Sequence, residues 1–179
     1  MPEVDHIQGP VPNYLWIMAT TEQVRAPEHT QRMQMAELAP DVVRAMAGFS
    51  AAANCNVDPT IAELVKIRAS QLNRCAFCLD MHTKDALAAG ESIDRIVQLS
   101  AWEESRLFYT ARELAAIELT EAVTVLTDGF VPDDVYARAA EQFDETELAH
   151  LIAAIAAINS WNRFGVSTRM VPGHHTPAG

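Results

Sequence analysis

The stretch Leu148–Ser160 is apolar nearly all round: Leu151-Ile-Ala-Ala-Ile-Ala-Ala-Ile158 leaves no face of a helix that water would favour. Such a helix must be packed on every side, so it belongs at the centre of its fold. It is too short and too alanine-rich to span a bilayer. Asp144-Glu-Thr-Glu147 supplies a capping box at its start. A chain that has to surround this helix with partners needs further amphipathic helices, and the remaining sequence offers them.

Thr110-Ala-Arg-Glu113 is a second capping box, ahead of Leu114, Ile117 and Val123. Asp58-Pro59 is an N-cap followed by proline at the first helical position, and that helix fades near Asn73. Another helix is predicted from Asn73 or Arg74 to Ala89, with Gly90 as its stop. Helices are also expected over Glu28–Leu38, over Asp41–Ala52 behind Pro40, and after Ser92 with Ile93, Ile96 and Val97. Asp133-Asp134 reads as a solvated first turn. Thr124–Gly129 looks strand-like alone, but it ends a helical pattern that Gly129 is placed to stop. No hairpin signal joins two alternating strands, so the fold class expected is all-α.

No repeat or linker divides the 179 residues, and one domain is expected. Residues 1–20 should form an arm with a short helical turn, since Tyr14, Leu15 and Trp16 need a surface to lie on. The tail 170–179 is expected to be loose. With 49% hydrophobic residues, global disorder is excluded; a net charge of −11 repels phosphate backbones and argues against nucleic acid. Met1–His6 lacks the basic and apolar regions of a secretory signal, so the expected location is cytoplasmic, with no membrane partner.

In a reducing compartment three cysteines are a poor structural framework. A Cys-x-x-Cys there points to catalysis, redox exchange or metal. Cys75, Cys78 and His82 recur at helical spacing, so the three side chains share one face. The thiolate is the reactive form of cysteine; a helix N-terminus near Asn73 would favour it, and His82 could take or pass a proton. Glu63 lies eleven intervening residues before Cys75. In one straight helix the two would be roughly 18 Å apart, so Glu63 joins the site only if the chain bends near Asn73. The redox reading requires both sulfurs within reach of solvent and at least one readily ionised. No cofactor is implied.

Other readings stand beside it. Cys75, Cys78 and His82 could be part of a structural zinc site, which needs a fourth ligand such as Cys55, His174 or His175 folding in. Alternatively, Glu63 and His82 could carry acid–base chemistry of a lyase or isomerase, with the cysteines incidental, or the cysteines could pack as small hydrophobes.

The pattern Glu63–x11–Cys75–x2–Cys78–x3–His82 resembles the core motif of the alkylhydroperoxidase D-like proteins of the carboxymuconolactone decarboxylase superfamily. Arg68–Cys75, Leu79–Ala86 and Ala156–Arg163 are similar to the same family, and the resemblance covers most of 40–165. It implies an all-helical fold assembled as homotrimers or homohexamers. It further implies a peroxidase or disulfide oxidoreductase in antioxidant defence, with a hydroperoxide substrate and a thiol or dithiol reductant protein as partners. By position, Cys78 would be the peroxidatic cysteine, Cys75 the proton donor and resolving cysteine, and Glu63 and His82 the proton relay. Phe77 stands where the founding enzymes of the family have a histidine, so the relay loses a member.

Other residues carry plainer expectations. Phe77 should wall the pocket or an interface. Trp161 and Arg163 should line the site or a contact, with the guanidinium pairing a carboxylate as the packing alternative. Cys55 is expected to be packed or idle, His150 a satisfied core histidine, and Met33, Met35 and Met46 core filler.

Overall fold

The computed structural model describes residues 29–177, and these form helices joined by turns, with no strand among them. The expected arm over residues 1–20 lies outside the described residues. Helix α1 covers Met35–Leu38, α2 Pro40–Asn54, α3 Pro59–Leu72 and α4 Ala76–Ala88. Then come α5 (Ile93–Gln98), two short 3-10 turns at Leu99–Ala101 and Arg106–Phe108, α6 (Ala111–Thr124), α7 (Asp133–Gln142) and α8 (Glu145–Thr168).

The capping signals act as read. Asp58 accepts from the amides of Thr60 and Ile61, and both capping boxes, Thr110 with Glu113 and Asp144 with Glu147, are closed on both sides. Three boundaries differ. The helix expected from Glu28 shrinks to Met35–Leu38 among the described residues, because the backbone of Arg32 is spent on Thr168 O at 2.8 Å instead of on its own turn. Helix α6 ends at Thr124 with Val125 as its cap, and Gly129 (φ 84°) serves the turn that follows. Helix α4 starts at Ala76, because Cys75 is extended and acts as its N-cap residue.

The core is built in layers around α3. Ile61 and Val65 face α6, α7 and α8 with Leu119, Phe143, Leu151 and Ile155. Leu64 and Ile67 face the other way, toward Ala86, Leu99, Trp102, Tyr109 and Ile117. Helix α8 packs against α2, α3, α4 and α6, so the central place expected for it is shared with α3. Helix α2 lies outside, sealed to α8 by Ala53 against Ala154 and Ala157. Met33 is exposed and Met35 and Met46 half-buried, which corrects their reading as core filler: among the described residues no second layer covers the faces they occupy.

Between α3 and α4 the chain reverses within three residues. Cys75 N–H donates to Ser70 O at 3.0 Å and Arg74 N–H to Gln71 O at 3.1 Å. This is a Schellman closure, with Arg74 in the left-handed position (φ 54°) where glycine is usual. A non-glycine residue there costs about 1 kcal/mol. The bend makes Cys75 both the residue that closes α3 and the N-cap residue of α4.

Candidate functional site

That bend brings Glu63 and His82 together. Glu63 Oε2 lies 3.1 Å from His82 Nδ1, although 19 residues separate them. Lys66, one turn after Glu63 on α3, donates from Nζ to Glu63 Oε1 at 2.7 Å. Burial raises the Glu63 pKa, but the His82 hydrogen bond and the Lys66 charge outweigh it, so the carboxyl sits below its usual range. An ionised carboxylate only accepts, so Nδ1 carries a proton and Nε2 is the nitrogen of a neutral ring left to accept. His82 borders a cavity of about 490 Å³, together with Cys78, Phe77, Met81, Trp161 and Met170.

The two sulfurs are 2.7 Å apart and both cysteines are free thiols. They are buried, at 1% and 2% exposure, among Ala69, Ile158, Phe77 and Trp161. Direct exposure to bulk water, which the redox reading required, is therefore absent; Cys78 instead borders the 490 Å³ cavity. Cys75 borders a second, smaller cavity of about 140 Å³ on the side of Arg74, Gly165 and Arg169.

The pair shares one proton between strongly interacting sites. The hydrogen bond from Cys78 lowers the Cys75 pKa to about 7 against the opposing effect of burial, and the backbone amides of Cys78 and Phe77 add to the lowering. That is the behaviour of an anion at a helix N-terminus. The Cys78 pKa is raised, first by the same hydrogen bond, then by burial and by the negative charge on Cys75. The first charge thus resides on Cys75.

Helix α8 supplies what the motif does not contain. Asn162 is fully buried, donates from Nδ2 to Ser70 Oγ at 3.0 Å, and accepts from Asn73 Nδ2 at 2.9 Å. Its amide also lowers the pKa of both cysteines. One turn on, Gly165 leaves room for sulfur: a Cβ there would meet Cys75 Sγ at 2.7 Å and Cys78 Sγ at 3.6 Å. The sequence pattern marks neither residue, nor Lys66. The resemblance of Ala156–Arg163 to the family marked the segment without marking its buried face.

All four motif residues thus converge on one region, yet no hydrogen bond among the described residues joins His82 to either sulfur. Phe77 walls both cavities. Trp161 lines the larger one and is fixed by an Nε1–H donation to Ser50 Oγ at 2.7 Å and by an edge contact with Phe164. Arg163 donates to Asn159 oxygens and pairs with no carboxylate among the described residues. His150 is half-buried, with Nδ1 against Thr146 O, and Cys55 is exposed at the end of α2. Among the described residues no group of three or more His, Cys, Asp or Glu side chains is placed to hold a metal ion. The tail is not loose over 170–177: Gly173 N–H donates to Asp80 Oδ2 at 3.0 Å, and His175 Nε2 lies 2.6 Å from Asp85 Oδ1. Both aspartates face out from α4 and draw the segment onto it.

An all-helical fold with a Cys-x-x-Cys at a helix N-terminus and a Glu–His pair beside it defines a class of protein, and comparison with known proteins places the chain within that class. It belongs to the carboxymuconolactone decarboxylase family, whose model matches residues 40–122, and within it to the alkylhydroperoxidase D-like proteins. It is 42% identical over 139 residues to the uncharacterised protein YdfG of Bacillus subtilis (strain 168), covering 77% of this chain and 94% of YdfG. The uncharacterised protein YnjA of Escherichia coli (strain K12) is 33% identical over 108 residues, 60% of this chain and 58% of YnjA. A crystal structure from Agrobacterium tumefaciens superposes with a TM-score of 0.76 at 32% identity, covering 84% of this chain and all of that one. That protein is described as of unknown function and as a candidate antioxidant-defence protein AhpD. No helix among the described residues is long and apolar enough to cross a membrane.

Proposed function

We propose that the chain is a thiol-dependent peroxidase or disulfide oxidoreductase of the alkylhydroperoxidase D type, acting in antioxidant defence. The observation that carries this reading is the sulfur pair: two free thiols 2.7 Å apart at the start of α4, one of them bordering a cavity that His82 also lines. The Cys75 thiolate takes the Cys78 proton across that short contact, which generates a Cys78 thiolate at the cavity wall. Cys78 Sγ attacks the terminal oxygen of a hydroperoxide and the O–O bond breaks. Sulfur is oxidised to a sulfenic acid, and the departing alkoxide takes the proton now on Cys75 and leaves as an alcohol. Cys75 Sγ then attacks Cys78 Sγ, and the expelled hydroxide leaves as water with a proton delivered through His82 and Glu63. An external dithiol returns two electrons and reopens the disulfide.

Phe77 contributes an apolar wall and no proton, so the relay here is Glu63–His82 alone, held by Lys66. Exposed Leu38, Val42 and Phe49 on α1 and α2 suit association of copies, and the family resemblance makes a homotrimer or homohexamer the assembly proposed. The test is peroxide consumption by pre-reduced protein. Cys78→Ser should abolish it, whereas Cys75→Ser, which lacks the thiolate that takes the Cys78 proton, should consume one equivalent more slowly and stop at the sulfenic acid. If Cys78→Ser matches the parent, the assignment of roles fails.

One observation favours a second reading. The Glu63–His82–Lys66 cluster is complete without either sulfur, which suits acid–base chemistry of the decarboxylase branch. Activity on a lactone or carboxylate substrate that survives replacement of both cysteines by serine would support it over the redox reading.

A further inference from the structure

The two cysteines line different cavities. Cys78 lines the 490 Å³ cavity with His82, and Cys75 lines the 140 Å³ cavity with Gly165. Phe77 and Met170 appear in both linings and so form the partition. The chemical character changes across it. The larger cavity is walled mainly by apolar side chains such as Ile158, Met81 and Trp161. The smaller one is flanked by Arg74, Arg169 and His29. Neither arginine has an ion-pair or hydrogen-bond partner for its guanidinium among the described residues, in a chain whose net charge is −11. Both are held with φ at 54°, a conformation that non-glycine residues rarely adopt. Gly165 keeps the floor of this cavity open at Cys75, since any Cβ would fall on its sulfur.

We propose that the small basic cavity is the reductant site, and that it takes a thiol whose carrier bears a carboxylate. This rests on the redox reading of the sulfur pair. The volume admits a thiol arm and not a whole carrier, so the carboxylate stays at the mouth against Arg74 and Arg169. The reductant thiolate attacks Cys75 Sγ; the Cys75–Cys78 bond breaks, Cys78 leaves with the electron pair and is protonated. A second thiolate then attacks the carrier sulfur of the mixed disulfide, which releases Cys75 as thiolate and the carrier as its own disulfide. Two electrons pass from two reductant thiols to the protein disulfide, and the peroxide-side cavity stays clear throughout. Each arginine also lies at a helix C-terminal end, where a cation is favourable without any ligand, and the experiment separates the two roles.

The full chain is oxidised with diamide, so that closure of the pair does not depend on a peroxide. Reduction is then followed with three small thiols: 3-mercaptopropionate (anionic), 2-mercaptoethanol (neutral) and cysteamine (cationic), each rate corrected to its thiolate concentration. The expected order is anionic above neutral above cationic, with the anionic-to-neutral ratio about ten, as electrostatic steering into a basic cleft gives. That ratio should fall toward one in Arg74→Gln/Arg169→Gln and return in Arg74→Lys/Arg169→Lys; Arg169→Gln alone should lower it partway and serves if the double variant does not fold. Equal corrected rates in the parent, or a preference untouched by Arg169→Gln, would overturn the proposal and leave the arginines as helix-end charges. Failure of diamide to close the pair at all would overturn the redox reading itself, and this proposal with it.

Discussion

Gly165 lies directly against Cys75: a methyl group on its α-carbon would stand 2.7 Å from Sγ, closer than a carbon and a sulfur can approach. The sulfur pair occupies space that α8 leaves open by omitting one side chain. Gly165→Ala should therefore push the sulfurs out of register or shift α8, at about 1–3 kcal/mol, the usual cost of overpacking. Urea unfolding measures the loss, and diamide titration should show slower closure of the pair. Parent-like stability together with parent-like closure would mean that α8 yields freely at this point.

Asn162 is the buried amide between this helix and the bend. Asn162→Ala leaves Ser70 Oγ and Asn73 Nδ2 short of a partner and removes a hydrogen bond that lowers both cysteine pKa values. The expected destabilisation is about 1–3 kcal/mol. The first ionisation of the pair, followed by ultraviolet thiolate absorbance against pH, should move upward from about 7. A destabilised variant whose thiolate titration is unmoved would make Asn162 a packing residue only.

The reduced protein should gain stability as pH rises from about 7 to 9. Folding lowers the Cys75 pKa from 9.0 to about 7, so between those values the unfolded chain binds more protons than the folded one. Stability then increases with pH, by about 1–2 kcal/mol, and the gain is lost as pH falls through 7. Above 9 the trend reverses, because folding raises the Cys78 pKa and the unfolded chain ionises that thiol first. Denaturant midpoints across this range should rise and then fall for the parent and lose the rise in Cys75→Ser. A flat parent curve between pH 7 and 9 would contradict the shared-proton description.

Glu63→Gln keeps the shape of the relay and removes its charge. His82 Nδ1 then loses the carboxylate that fixes its tautomer, and Lys66 loses its ion pair. In a single turnover, disulfide formation from the Cys78 sulfenic acid should slow about a hundredfold, in line with the loss of general acid–base assistance, while peroxide consumption itself persists. Closure of the pair by diamide should persist. An unchanged rate of disulfide formation after the sulfenic acid would remove Glu63 from the chemistry.

Much of the site was legible because three of its members sit on one helix. The spacing of Cys75, Cys78 and His82 needs only helical periodicity to become a face. Glu63 required a bend, and the sequence placed it near Asn73, although a closure built on Arg74 in a left-handed conformation carries no glycine to announce it. The partners on α8 were out of reach for a different reason. Asn162 meets Ser70 and Asn73 across sequence separations of 92 and 89 residues, and Gly165 meets Cys75 in the same way. Contacts of that range depend on how α3, α4 and α8 pack, which periodicity does not specify. The burial of both sulfurs escaped for the same reason: a first-turn cysteine is open to water until another helix lies over it. The tail reads as loose because its composition is polar and rich in Pro and Gly, while its anchors, Asp80 and Asp85, lie some 90 residues away on α4.

The most direct measurement is the mass of the reduced chain before and after one equivalent of an organic hydroperoxide. Closure of the pair removes two hydrogens, so the account predicts a loss of about two daltons, mapped to the peptide containing Cys75 and Cys78, and reversed by a dithiol. An unchanged mass at that peptide, with the peroxide unconsumed, would contradict it.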